Sequence, residues 1–179
     1  MNFTVKLSGL RSLRSRLWSL VTFVLCTGCS HYQLGTEVKL PFHTLYVAPV
    51  ENKTPLPQVR EIVSTQVREA FAHDARVVLA NSPEAAEATL TVVLIDYHRD
   101  VASVRENDTG LARKFNLTLG ATATLHDNRA GKDLFDRRPI SVQREAFTDS
   151  GQVQNEFQTL PLLADALAAK LTHAALDVW

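Results

Sequence analysis

Cysteine is nearly absent from this 179-residue chain: Cys26 and Cys29 are the only two, and both lie close to its start. That excludes a disulfide framework for the rest of the protein and any cysteine-built metal centre. Glycine and proline number seven each, too few for a collagen-like or low-complexity chain. Long apolar runs are missing as well. The longest, Leu17–Leu25, has nine residues, whereas a helix needs roughly 20 to cross a bilayer core. Catalytic motifs are equally scarce. The histidines form no His-x-x-x-His spacing, and there is no Gly-x-Ser-x-Gly elbow and no phosphate-cradling glycine loop. The expectation is a protein that is not an enzyme and carries neither metal nor cofactor.

What is present begins at the N-terminus. Arg11, Arg14 and Arg16 precede the apolar run, and small residues follow it, which are the three parts of a secretory signal. Thr27-Gly28-Cys29 resembles a bacterial lipobox, in which the cysteine is acylated and becomes the first residue of the mature chain. Cys26 stands where that pattern prefers Leu. The alternative is a plain signal peptide with two stray cysteines. On the lipobox reading, residues 1–28 are the signal, Cys29 is the lipidation site, and residues 29–43 form a short tether. Ser30, by analogy with the sorting rule in which Asp retains a lipoprotein at the inner membrane, directs it to the periplasmic face of the outer membrane.

Removing the signal changes the charge. The whole chain has 19 basic and 19 acidic residues, but four of the basic ones precede Cys29 and no acidic one does. The mature chain is therefore net −4, which argues against a nucleic-acid partner. Its 151 residues are enough to bury about 68–70% of the unfolded surface without disulfides. One domain, residues 44–179, is expected.

The order of elements follows from periodicity. Thr44–Val50 is β-branched and aromatic, and the Asn52–Pro57 turn cluster ends it. Val59, Ile62, Val63, Val67, Ala70 and Phe71 mark one face of a helix over Gln58–His73. Arg76–Ala80 is a short strand candidate. Ala88–Val101 is a strand too apolar in its middle to reveal its buried face. Lys114–Leu125 alternates strictly: Phe115, Leu117, Leu119, Ala121, Ala123 and Leu125 share one side, and Asn116, Thr118, Gly120, Thr122 and Thr124 the other. Asp127–Lys132 reads as a hairpin turn, and Leu134–Phe147 as a returning strand that Pro139 assigns to an edge or a bulge. A last helix carries Leu160, Leu163, Ala164, Leu167, Leu171, Ala174 and Val178, with Pro161 expected in its first turn. The predicted fold is α+β: a mostly antiparallel sheet of four to five strands with two helices on one face.

One charge cluster is a candidate site. Arg105 lies in the turn Arg105–Gly110, and Arg113 and Lys114 open the next strand. Cations gathered at one hairpin end suit phosphate groups. A solvated turn whose charges pair with Glu106 and Asp108 is the simpler alternative. The acidic pair Asp96 and Asp100 needs only solvent.

The mature chain resembles the lipopolysaccharide-assembly lipoproteins of LptE type. The resemblance rests on Cys29 followed by Tyr32-Gln33-Leu34-Gly35, the Val47–Thr54 strand and turn, and the helix after it. It continues in Asp100-Val101-Ala102-Ser103-Val104-Arg105, the alternating Asn116–Leu125 strand, Pro139-Ile140-Ser141-Val142 and the terminal helix. It implies an outer-membrane lipoprotein that plugs and helps assemble a β-barrel lipopolysaccharide translocon (LptD type) and contacts lipopolysaccharide. In the family a basic residue after the Ala-Ser-Val run makes that contact, and Arg105 matches it; Arg113 and Lys114 lie beside it. The family's further basic contact has no counterpart, since no Lys or Arg lies between Phe147 and Leu160. Activation of a periplasmic envelope machine such as a peptidoglycan synthase is one alternative role, although the 30–43 tether is short for it. A purely structural lipoprotein is another.

Overall fold

The computed structural model describes residues 40–104, 112–147 and 152–177, with side chains at 40–101, 114–147 and 157–177. Along this part the chain forms β1 (Thr44–Val47), β2 (Glu51–Asn52), α1 (Val59–Ala72), β3 (Val78–Leu79) and a short 3-10 turn at Pro83–Ala85. Then come β4 (Ala88–Val104), β5 (Ala112–Asp127), β6 (Lys132–Phe147) and α2 (Gln152–Leu176). The class is α+β, as expected. The sheet, however, has six strands and is mixed: the order is β3-β1-β4-β5-β6, with β2 also paired to β4. β4–β5 and β5–β6 are antiparallel, whereas β1 runs parallel to both β3 and β4, and β2 runs parallel to β4. A parallel pair needs a crossover, and α1 supplies the one between β2 and β3.

The alternation of β5 is realised in full. Its odd-numbered residues from Phe115 to Leu125 are buried, and Asn116, Thr118, Thr122 and Thr124 remain partly exposed. β4 joins the same core through Ala88, Leu90, Val92 and Leu94. Beyond Leu94 an irregularity sets Asp96 opposite Gly120. This extra residue leaves Ile95 exposed and restores Tyr97 to the core side, opposite Leu119. Phe42 is only 1% exposed, so the core already includes a residue two positions before β1.

The helices cover one face. Val59, Val63, Val67 and Phe71, four residues apart, form the buried stripe of α1. Leu160, Leu163, Ala164, Leu167, Ala168, Leu171, Ala175 and Leu176 do the same for α2. Each fully buried leucine contributes about 1.5–3 kcal/mol. Pro161 does not begin this helix, as its sequence position suggests. The helix starts at Gln152 and Pro161 lies inside it. Proline cannot donate to the carbonyl of Phe157, but its ring is on the exposed side, and the buried stripe continues past it.

Polar latches hold the ends of the sheet. Asp127 accepts the N–H groups of Arg129 and Ala130, and Gly131 takes φ +63° to close the β5–β6 turn. Pro139 does lie on an edge strand, β6, and a bulge precedes it where Arg137 adopts φ +41°. The Glu87 carboxylate accepts the His43 N–H (2.6 Å) and pairs with Arg129 (2.8 Å); the His43 N–H is the main reason it stays below its usual range. Arg76 binds Asp74 (2.7 Å) and also reaches Asp177, tying the loop before β3 to the end of α2. The Arg76 side chain holds the Asp74 carboxyl below its usual value, against the opposing effect of burial.

Candidate functional site on the bare face and its outer end

Because both helices lie on the odd-numbered side of β5, the even-numbered side has no helix over it among the described residues. Cross-strand pairing fixes what this bare face carries. Thr91 opposes Thr124, Val93 opposes Thr122, His98 opposes Thr118 and Asp100 opposes Asn116. On the other flank Thr122 meets Pro139, Gly120 meets Ser141, and Thr118 meets Gln143. Along β5 the face is thus a row of short neutral hydroxyl and amide groups. A side chain at Gly120 would disturb it, since a Cβ there would sit 3.1 Å from the Cβ of Asp96.

Charge enters this face on β4, where Asp96 opposes Gly120 and Asp100 opposes Asn116, and on the edge strand β6, where Glu145 opposes Asn116. His98 contacts Asp96 through Nδ1 (2.8 Å) and Asp100 through Nε2 (3.3 Å), so the two carboxylates flank a histidine rather than facing solvent alone. His126 contacts Asp133 (2.7 Å), and Arg137 pairs with Asp136 (3.2 Å). Among the described residues no cluster has a metal-binding arrangement.

The outer end of the hairpin is where the sequence places its basic cluster. β4 and β5 remain paired as far as Val104 and Ala112, which puts the backbone of Arg113 at this hairpin end. Arg105 and Cys29 lie outside the described residues; Arg113 lies on β5, and its side chain is also outside them. Lys114 is described. Its Nζ contacts Glu145 at 2.6 Å and stands 5.6 Å from the centre of the Phe147 ring. Its charge is therefore met across the sheet from β6, while Glu106 and Asp108 lie outside the described residues. Two features went unrecognised in the sequence. Arg99 lies over the Phe115 ring (4.9 Å), and Val101, Phe147 and Phe157 are large apolar residues left more than half exposed. Their only signal was an apolar residue beyond the span of the core, which periodicity cannot distinguish from a buried one.

No helix among the described residues is long and apolar enough to cross a membrane. A family model described as lipopolysaccharide-assembly, LptE, matches residues 42–174. Among solved structures, the chain is similar to an uncharacterized lipoprotein B of Nitrosomonas europaea at 20% identity and a TM-score of 0.52, covering 81% of this chain and 87% of that one. A protein of Xanthomonas campestris aligns with a TM-score of 0.57 at 13% identity, over 79% of this chain and 89% of its own. A minor lipoprotein of Acinetobacter baumannii gives 0.50 at 16% identity, over 77% and 96%. At these identities the likeness is one of fold. No curated protein sequence matches the chain.

Proposed function

Since the chain belongs to the lipopolysaccharide-assembly family of LptE type, we propose that it is an outer-membrane lipoprotein, anchored through acylated Cys29, that plugs and helps assemble a β-barrel lipopolysaccharide translocon. The observation that carries this reading is the bare face of β5. Along β5 it is neutral and rich in threonine, and no helix among the described residues covers it. Such a face is matched by the polar inner wall of a large barrel, where hydrogen bonds can form without burying charge.

Contact with lipopolysaccharide belongs to the outer end. Arg105, Arg113 and Lys114 are the cations for its phosphates, with Arg105 at the position where the family places that contact. Lys114 serves in a secondary way, because Glu145 already holds it. The exposed rings of Phe147 and Phe157 offer apolar surface in the same part of the fold.

The test is co-purification. A C-terminally tagged full-length chain, extracted in mild detergent from its own cells, is expected to bring down an untagged outer-membrane β-barrel. Cys29→Ala is expected to abolish fatty-acid labelling. Recovery of a peptidoglycan synthase in place of a barrel would reject the plug role, and label retained on Cys29→Ala would reject the anchor.

A further inference from the structure

A cleft lies far from the hairpin end, where β1 and the segment after it face α1. Its volume is about 250 Å³. Tyr46, Val47 and Asn81 line one side, and Arg60, Ser64 and Arg68 the other, with Ala48, Pro49 and Glu61 completing the wall. The three helical residues are spaced by four and so share one face of α1. Leu90 of β4, which pairs with Val47 at this cleft, is 14 residues from Val104, roughly 45 Å at about 3.3 Å per residue. No single small ligand touches both this cleft and the Arg105 turn.

Two independent features make it a site. The first is an unbalanced charge. Arg60 contacts Glu61 through Nε at 3.2 Å, but Arg68 has no ion-pair partner among the described residues. The second is backbone that has lost its neighbour. β3 pairs with β1 only at Thr44 and Leu45, through Val78 N–H to the His43 carbonyl and Ala80 N–H to the Leu45 carbonyl, both 2.8 Å. Ala48 turns to the other side and donates to the Leu90 carbonyl. By strand alternation Val47 directs its N–H and C=O to the β3 side, where the ladder has already stopped. Val47 is 3% exposed, yet its main chain has no partner there among the described residues. Buried main-chain groups are almost always paired.

We infer that this cleft binds a compact ligand bearing an oxyanion, of the size of a sugar phosphate or a sugar acid. Guanidinium groups on one wall meet the oxyanion in the fork geometry that phosphate and carboxylate share. The Val47 N–H supplies a main-chain donor, and the Ser64 hydroxyl and Asn81 amide serve the neutral hydroxyls beside it. The volume holds roughly eight waters at about 30 Å³ each, enough for one ring and its charged substituent. This inference does not depend on the plug role or on the Arg105 turn.

The experiment is an amide-resonance titration of the full-length protein in detergent with glucose 6-phosphate, glucuronate and glucose. At least one charged sugar is expected to shift the Val47, Ser64, Arg68 and Asn81 amides saturably, with a Kd of roughly 1 mM, and to slow exchange of the Val47 amide. The tighter of the two names the anion. Arg68→Gln, on the exposed side of α1, is expected to keep the thermal melt and weaken binding about tenfold, as loss of one charge-assisted hydrogen bond does. The inference is overturned if neither charged sugar binds, if glucose binds equally well, or if Arg68→Gln leaves the affinity unchanged. Arg105→Glu is expected to leave this titration unaltered, which separates failure here from failure at the hairpin end.

Discussion

The two faces of β5 are made by one strand, residue by residue in turn, and yet they face opposite physical demands. Leu117, Leu119, Ala121, Ala123 and Leu125 are at most 1% exposed and vanish under two helices. Asn116, Thr118, Thr122 and Thr124 have no helix to meet them among the described residues and carry no charge. Among the described residues the sheet is therefore covered on one side only. The covered face holds the fold together, and the bare face, with neutral side chains along β5, is available to a polar partner of matching shape.

The sharpest way to break that contrast is a pair of truncations. Leu119→Ala is expected to cost about 2–5 kcal/mol in a denaturant titration, the range for a buried leucine. Thr118→Ala is expected to cost less than about 1 kcal/mol, as a substitution outside the core does. Equal losses would mean that both faces are core. Next in size is Gly120→Val on the bare face. The Cβ would approach the Cβ of Asp96 to 3.1 Å, and neither strand can easily yield, so about 1–3 kcal/mol is expected. A neutral result would mean that the irregularity at Ile95–Asp96 is free to relax.

A smaller effect concerns the latch between the covered layer and the sheet edge. Arg76 lowers the Asp74 carboxyl, so this contribution is complete above the ordinary carboxyl value of 3.8 and is lost as pH falls through the lower folded value. Asp74→Asn is expected to remove about 1 kcal/mol at pH 7, since the Arg76 side chain is 44% exposed and solvent screens the pair. The acid-side fall in Tm should become shallower in that variant. An unchanged slope would assign the acid sensitivity elsewhere, with Glu87 and Asp127 the next carboxylates held low. Smallest of all should be Arg105→Glu. It is expected to weaken binding of purified lipopolysaccharide at low salt, by less than the roughly 1.5–3 kcal/mol of a charge-assisted bond, and the difference should shrink as salt rises. Unchanged low-salt binding by the folded variant would make that turn a solvated face.

The legible parts of the fold were those written in local period. The stripe Val59-Val63-Val67-Phe71 and the alternation from Phe115 to Leu125 needed no partner to be read. β4 was not readable in the same way. Val92, Val93, Leu94 and Ile95 are all apolar, so composition does not say which of them face the core, and only the pairing of Val92 with Ala123 and of Leu94 with Ala121 sorts them. The parallel pairing of β1 and β2 with β4 was illegible for another reason: which strand neighbours which is a long-range fact that no local pattern carries. Pro161 misled because a proline at a helix start and a proline on the exposed side of a long helix look alike in sequence. At the candidate site, the cations were visible but their partners were not. Glu145 meets Lys114 from the neighbouring strand, by way of the β5–β6 register.

The central claim is that the bare face of β5 seats this protein against a barrel wall. It is tested most directly by the double variant Thr118→Trp/Thr122→Trp, made in the full-length tagged chain with Cys29 intact. Tryptophan suits a strand and leaves the covered face untouched, so the thermal melt of the purified variant should stay close to that of the parent. Bulk added across the centre of the face should prevent a close fit, and recovery of the co-purifying β-barrel is expected to fall at least about tenfold. A folded, lipidated double variant that recovers the barrel as well as the parent does would contradict the account.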